Sequence, residues 1–326
     1  AKKATVGSSV DESYCPQRRT RWPRLLTPAD VIAGAAVTEH PGVYVLGIED
    51  TRITFFSQQV RALELAHALQ HEHLLKANAR IAVIGGGAAG ITLAAALALQ
   101  GGVDVRLFEQ ESRLLPLQGA AQRRRIDPHI YEWPKPDADH KRALLPILDW
   151  QSGSAVEVGD AVLHEFEQVR AATHGQPSTF LRHSVTGVVP VDDRFIVHFT
   201  HDTPAALQQT ATHEFDVVVL AIGFGIEPPS PIPNTQTASY WHDAGVPEAS
   251  IDGNPEPTFF ISGNGDGGLI DLIASAERTF RHSEIVLGIA HRSGVQALRD
   301  QLLAIDAQAL VAEAAGNGFD FVGAYD

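Results

Sequence analysis

The chain is nearly free of cysteine: Cys15 is the only one in 326 residues. That excludes a disulfide within the chain and a C-x-x-C redox pair. Positive charge is short as well, with 25 Lys and Arg against 39 Asp and Glu and a formal net charge of −14. Nucleic acid and anionic membrane are therefore not expected as partners. No apolar run is long enough to span a bilayer, and the opening stretch AKKATVGSSVDESYCPQRRTRWPRLL lacks the apolar core of a secretory signal, so a cytoplasmic protein is expected. G-x-S-x-G and P-loop motifs are missing, which argues against hydrolase and NTPase chemistry. His67 and His71 have metal-ligand spacing on a helix, but neither an H-E-x-x-H pattern nor a clear carboxylate partner accompanies them. No metal site is expected.

What is present is a strand–loop–helix–strand unit at 81–110, IAVIGGGAAGITLAAALALQGGVDVRLFEQ. Ile81 to Ile84 make a short apolar strand. Gly85 permits a tight turn, Gly87 leaves room for backbone to approach a pyrophosphate, and Gly90 lets the helix pack closely on the sheet. Ala88 and Ala89 open a helix whose free N–H groups and positive dipole end face the phosphates. Glu109 ends the next strand, where an acid bonds a ribose 2′-hydroxyl and repels a 2′-phosphate. The nucleotide expected is FAD or NAD rather than NADP.

Elsewhere GVYVLGIE (42–49) reads as a strand. Residues 54–75 read as a helix with an apolar face of Val60, Leu63, Leu65, Ala68 and Leu69. A further helix is expected over 155–171, a hairpin over 180–200 turning at VDDR, and a buried parallel-type strand in FDVVVLAIGFG (215–225). TFFISGNGDGGLIDLI (258–273) runs from a strand-like segment into a helix, and helices fill most of 269–314. Its glycines imitate a second G-x-G-x-x-G, yet Asp266 would lie beside a pyrophosphate and repel it. A carboxylate bonding neutral hydroxyls meets no such penalty. The alternative is that Asp266 caps the helix.

VIGGGAAGITLA, FEQ, FDVVVLAIGFG and FFISGNGD together resemble the FAD domain of the glutathione-reductase-like flavoproteins, over about residues 79–280. The resemblance implies a Rossmann-like α/β domain with a parallel sheet, a β-meander leading into an A-x-G turn (Ala221, Gly223), and a late strand ending in Gly265 and Asp266 at the flavin's ribityl chain. It places Gly85, Gly87, Gly90 and Glu109 on the cofactor, with Gln110 and Arg113 beside them. Val185 falls where the family contacts adenine by main chain. The inserted NAD(P) domain and redox cysteine pair of that family are lacking. Expected, then, are an N-terminal extension over 1–78 packing on the core and an FAD-binding domain over 79–326. Flavin- and substrate-facing loops fall at 111–150 and 226–257, followed by a helical C-terminus.

DPHIYEWP and SYWHDAG offer candidates for chemistry. His129 is a candidate for moving a proton, as an imidazole does in general acid–base chemistry, while Tyr131 and Trp241, with Trp133, can wall a planar group. Packing of aromatics against proline-braced loops is the alternative for each. Arg123 to Arg125 either hold an acidic ligand or are surface charge. The expected activity is hydride transfer between a small organic substrate and FAD, of the oxidase or dehydrogenase type. An NAD(P)H-dependent flavin monooxygenase, a non-catalytic FAD- or NAD-binding regulatory protein, and a homodimer stay open.

Overall fold

A computed structural model describes residues 26–47, 53–202, 208–223, 240–241, 259–261, 266–276, 281–282, 284, 288 and 291–325. The described residues start with helix α1 (Pro28–Ala35), edge strand β1 (Val43–Val45) and helix α2 (Phe55–His71). Strand β2 (Ala79–Ile84), helix α3 (Ala88–Gln100) and strand β3 (Val103–Glu109) follow. Two short strands, β4 (Arg125–Ile126) and β5 (Gly153–Ser154), bracket a mostly irregular stretch before helix α4 (Ala155–Ala172). Then come β6 (Ser178–Leu181), β7 (His183–Val191), β8 (Arg194–Asp202), β9 (Gln208–Phe215) and β10 (Val217–Leu220). Helices α5 (Asp266–Ala276), α6 (Val295–Ala314) and α7 (Phe321–Tyr325) close the chain.

Local chemistry sets the helix starts. Thr27 with Asp30, Thr54 with Ser57, and Ser154 with Glu157 form reciprocal side-chain caps on α1, α2 and α4, satisfying N–H groups that have no intrahelical partner. Helix α3 differs. Its N-cap is Gly87, with no side-chain cap hydrogen bond.

Among the described residues the main sheet has five strands in the order β1-β10-β2-β3-β6, all parallel, a Rossmann-like α/β arrangement. Side chains alternate between its faces, as strand geometry requires. Ile81, Val83, Val105, Leu107, Val217 and Val219 join one core with α2, α3 and α4. Ala82, Ile84, Phe108 and Val218 point the other way, into Phe195, Val197, Phe199 and Phe215 of a three-stranded antiparallel meander, β7-β8-β9. Both faces are covered, which explains why β2 is apolar at four successive positions.

The hairpin turning at VDDR forms as expected, between β7 and β8. Four strands escaped the sequence reading: the two-residue β4 and β5, β6, which alternation alone merged with the hairpin, and the polar β9. On α2 the expected Leu65, Ala68 and Leu69 are buried together with Phe55, Gln59, Ala62 and Ala66, and Leu63 is half-buried against the same core, whereas Val60 is outside the buried set. A buried glutamine interrupts the apolar period and hides it. The larger correction concerns the expected strand at 258–262. Residues 259–261 form no strand, and Phe260 is 79% exposed. Strand β1 stands beside β10, through Val43, Tyr44 and Val45 against Val218, Val219 and Leu220.

Candidate functional site

The order of the sheet locates the site. From β2 the chain moves to β3 on one side, whereas β10 returns on the other. In such sheets ligands bind outside the carboxyl ends of the strands where the direction reverses. Gly85 to Gly87 stand at that point.

Each glycine there has a separate physical duty. Gly85 has φ +111°, and a Cβ on it would lie 2.3 Å from the Ala221 carbonyl oxygen. A Cβ on Gly90 would lie 1.8 Å from the Gly85 carbonyl oxygen. These two set the packing of turn, helix and β10. A Cβ on Gly87 would meet nothing within 4 Å among the described residues, none of which fills that space. That opening lies at the uncapped start of α3, where Ala88, Ala89 and Gly90 present the first N–H groups of the helix.

Glu109 is 6% exposed, and its role is wider than its position in sequence indicated. One carboxylate oxygen accepts the Gly86 N–H at 2.7 Å and the other accepts the Glu111 N–H at 2.8 Å. The Leu115 N–H, in turn, donates to the Gly86 carbonyl at 2.9 Å. The Gly86 peptide is thus held at both ends, and the loop is braced without a ligand. A carboxylate has about four lone-pair positions, so Glu109 retains capacity for hydroxyl donors. The set fits the adenosine, ribose and pyrophosphate portion of a dinucleotide.

Around this centre, Gln110 and Arg113 are exposed, and the Arg113 guanidinium donates to the Gly119 carbonyl at 3.3 Å. Ala221 is buried, and Gly223 has φ +59°. Val185 lies in β7 at an irregularity of pairing and packs against the meander core. Gly265 lies outside the described residues. Asp266 begins α5, and its side chain also lies outside what is described, as does His242.

The candidates for chemistry fall into separate aromatic pairs. His129 packs edge-on to Phe56 of α2 at 4.8 Å between centroids, and its Nε2 lies 3.0 Å from the Arg142 carbonyl. His140 approaches that carbonyl as well, through Nδ1 at 3.0 Å. Tyr131 is 39% exposed. Trp241 packs on the main core, edge-on to Tyr240.

Arg124 and Arg125 do not serve as a cradle for acidic ligands. Arg124 is 5% exposed. Its guanidinium pairs with Asp271 of α5 at 2.7 Å, donates to the Tyr240 carbonyl at 2.7 Å and lies 4.0 Å over the Tyr240 ring. Arg125 pairs with Asp127 at 2.8 Å. Sequence reasoning missed Asp271, because nothing local marks it as the partner of so distant an arginine.

His282 was missed for the same reason. The Arg125 N–H donates to its Nδ1 at 3.3 Å. Burial, reinforced by Arg124, lowers its pKa from 6.5 to about 4. The folded state holds this imidazole neutral while the unfolded chain protonates it near 6.5, so the stability it contributes is complete above that pH. It is lost as pH falls towards about 4. The loss is on the order of 3 kcal/mol. Urea unfolding at a series of pH values is expected to show this decline, and His282→Gln to flatten it. An equal decline in both proteins would remove His282 as its cause.

Gln58 is a third omission. Its amide lies against Gly47, just beyond β1, and its Nε2 is buried with no hydrogen-bond acceptor.

Against known proteins, the family described as NAD(P)-binding Rossmann-like domain matches residues 83–134, from the end of β2 through the glycine loop, α3 and β3 to beyond β4. No curated protein matches. Among solved structures, a lysine monooxygenase from Nocardia farcinica is similar at 15% identity and TM-score 0.33, covering 58% of this chain and 38% of its own. An L-lysine 6-monooxygenase from Pseudomonas syringae is similar at 14% identity and TM-score 0.31, covering 58% of this chain and 47% of its own. For a cyclohexanone monooxygenase from Rhodococcus sp. Phi1 the values are 16%, 0.30, 48% and 28%. The chain therefore spans less than half the length of each.

Proposed function

We propose that the chain is an FAD-dependent oxidoreductase of the oxidase or dehydrogenase type acting on a small organic molecule. The carrying observation is the open position at Gly87, at the uncapped start of α3 and within the loop that Glu109 braces. The N–H groups of Gly87, Ala88 and Ala89 would hold the pyrophosphate, and Glu109 the adenosine ribose. Its charge disfavours a 2′-phosphate there. The meander entering β10 and the Ala221–Gly223 turn supports FAD over free NAD, since the flavoproteins that the sequence resembles carry both features in that order.

Bound flavin supplies the capacity to accept a hydride from a carbon substrate. The protein's part is to hold it, exclude water and manage the accompanying proton. Gly265 and Asp266 are assigned to the ribityl chain through the resemblance. His129 is assigned to proton movement, with Tyr131 and Trp241 as walls for a planar group. The same reading divides the chain at residue 78, into an extension and the FAD-binding domain of 79–326.

Purified full-length protein should bind FAD with 1:1 stoichiometry by absorbance and fluorescence quenching. A protein that binds NAD and no flavin would overturn the assignment. Nicotinamide added under nitrogen separates the oxidase or dehydrogenase reading from a monooxygenase: rapid bleaching of bound flavin by NADH or NADPH favours the latter.

A further inference from the structure

The segment that leaves the glycine loop runs to a buried arginine. Leu115 is bonded to the Gly86 carbonyl, and further along the Arg124 carbonyl accepts the Ala155 N–H at 2.7 Å, at the start of α4. The backbone of Arg124 is thus fixed to a base continuous with the nucleotide loop. From that base its guanidinium reaches two segments far off in sequence. Nε donates to the Tyr240 carbonyl at 2.7 Å, and Nη2 pairs with Asp271 of α5 at 2.7 Å. The group also lies 4.0 Å over the Tyr240 ring. Burial of a charge is tolerated where it is paired and hydrogen-bonded, as here. A planar fork that bonds two acceptors while stacking on a ring is a geometry that arginine has and lysine lacks.

These contacts bring together two residues that the sequence placed in separate stretches. The Tyr240 ring lies against Gly267, where a Cβ would stand 3.1 Å from its Cδ2 and 3.2 Å from its Cε2. Trp241 follows Tyr240, and Asp266 precedes Gly267. The touching pair is therefore flanked by the residues assigned to a planar wall and to the ribityl chain. Helix α5 has little apolar packing to hold it. Among its described residues Ala274 alone is buried, while Leu269, Leu272 and Ile273 are exposed, and residues 259–261 supply no strand before it. We infer that Arg124 is a positioning residue for the flavin half of the dinucleotide site. By tying Tyr240 and Asp271 to the segment that braces the glycine loop, it sets where Trp241 and the first turn of α5 stand. Arg124 acts through these two partners and does not touch the cofactor. This rests on the FAD reading above.

The test compares FAD with ADP, which carries only the adenosine and pyrophosphate end. Both are titrated by calorimetry into the full chain, freed of nucleotide, and into Arg124→Lys and Asp271→Asn. Lysine keeps the charge without the fork, and asparagine keeps the size without the carboxylate. Wild type is expected to bind both nucleotides. Each variant should bind FAD about tenfold more weakly, about 1.4 kcal/mol, with ADP affinity kept within about twofold. The flavin that stays bound should fluoresce more strongly, because its ring is no longer held against the Trp241 wall. Should Arg124→Lys fail to fold, Asp271→Asn carries the comparison, since Asp271 is the more exposed partner. Unchanged FAD affinity or unchanged fluorescence would overturn the inference. So would an equal loss for ADP, which would mean that Arg124 acts only through the fold. A wild-type chain that binds ADP without FAD, or neither, would overturn the cofactor assignment itself.

Discussion

Gly90→Ala is expected to cost about 3 kcal/mol or more in urea unfolding and to abolish nucleotide binding. The new methyl would stand 1.8 Å from the Gly85 carbonyl oxygen. That oxygen belongs to backbone, not to the end of a flexible side chain, so the helix or the turn must move. Either movement displaces the contact of Gly85 with Ala221, 2.3 Å from where a Cβ on Gly85 would be. Gly87→Ala should behave in the opposite way. Its backbone, at φ −78° and ψ −173°, suits alanine, and its Cβ meets no atom of the described residues within 4 Å. Stability within about 0.5 kcal/mol of wild type, with nucleotide affinity reduced at least about tenfold, is expected. Equal stability losses at the two positions would mean that the space at Gly87 is structural and holds no ligand.

Gln59→Leu should destabilise the protein by about 2–4 kcal/mol, read as a lowered urea midpoint with unchanged slope. Gln59 is fully buried. Its Oε1 accepts the Trp150 indole N–H at 2.6 Å, and its Nε2 donates to the Leu148 carbonyl at 3.1 Å. Phe55 closes the cluster, edge-on to Trp150 at 5.6 Å. Leucine fills the volume but leaves a donor and an acceptor unpaired where water cannot reach them. The energy is spent on joining α2 to the stretch before β5, so limited proteolysis between residues 127 and 150 should accelerate in the variant. A loss below about 1 kcal/mol would mean that water or rearrangement satisfies both groups.

The parts of this molecule that were legible in sequence are those whose chemistry is local. Gly85, Gly87 and Gly90 are spaced by the demands of one turn and one helix start, and β2, α3 and β3 are contiguous. Glu109 is legible because it ends the strand that follows. The apolar run at 217–220 declares a strand covered on both faces, and the VDDR turn declares its hairpin. The stretch at 258–262 misled because an apolar run before glycines looks alike whether or not a sheet receives it. Phe260 is exposed there, and β1 holds the edge.

Sequence by itself thus determined a Rossmann-like α/β unit and the loop at which a dinucleotide would bind, since short-range sterics and hydrogen bonding dictate both. Tertiary structure alone decided which strand stands beside β10, and that Arg124 is spent on Asp271 and Tyr240. It also decided that Glu109 braces Gly86, and that the Gln58 amide lies against Gly47. These depend on contacts between residues far apart in the chain. No spacing or period along a single strand or helix encodes which distant partner will arrive.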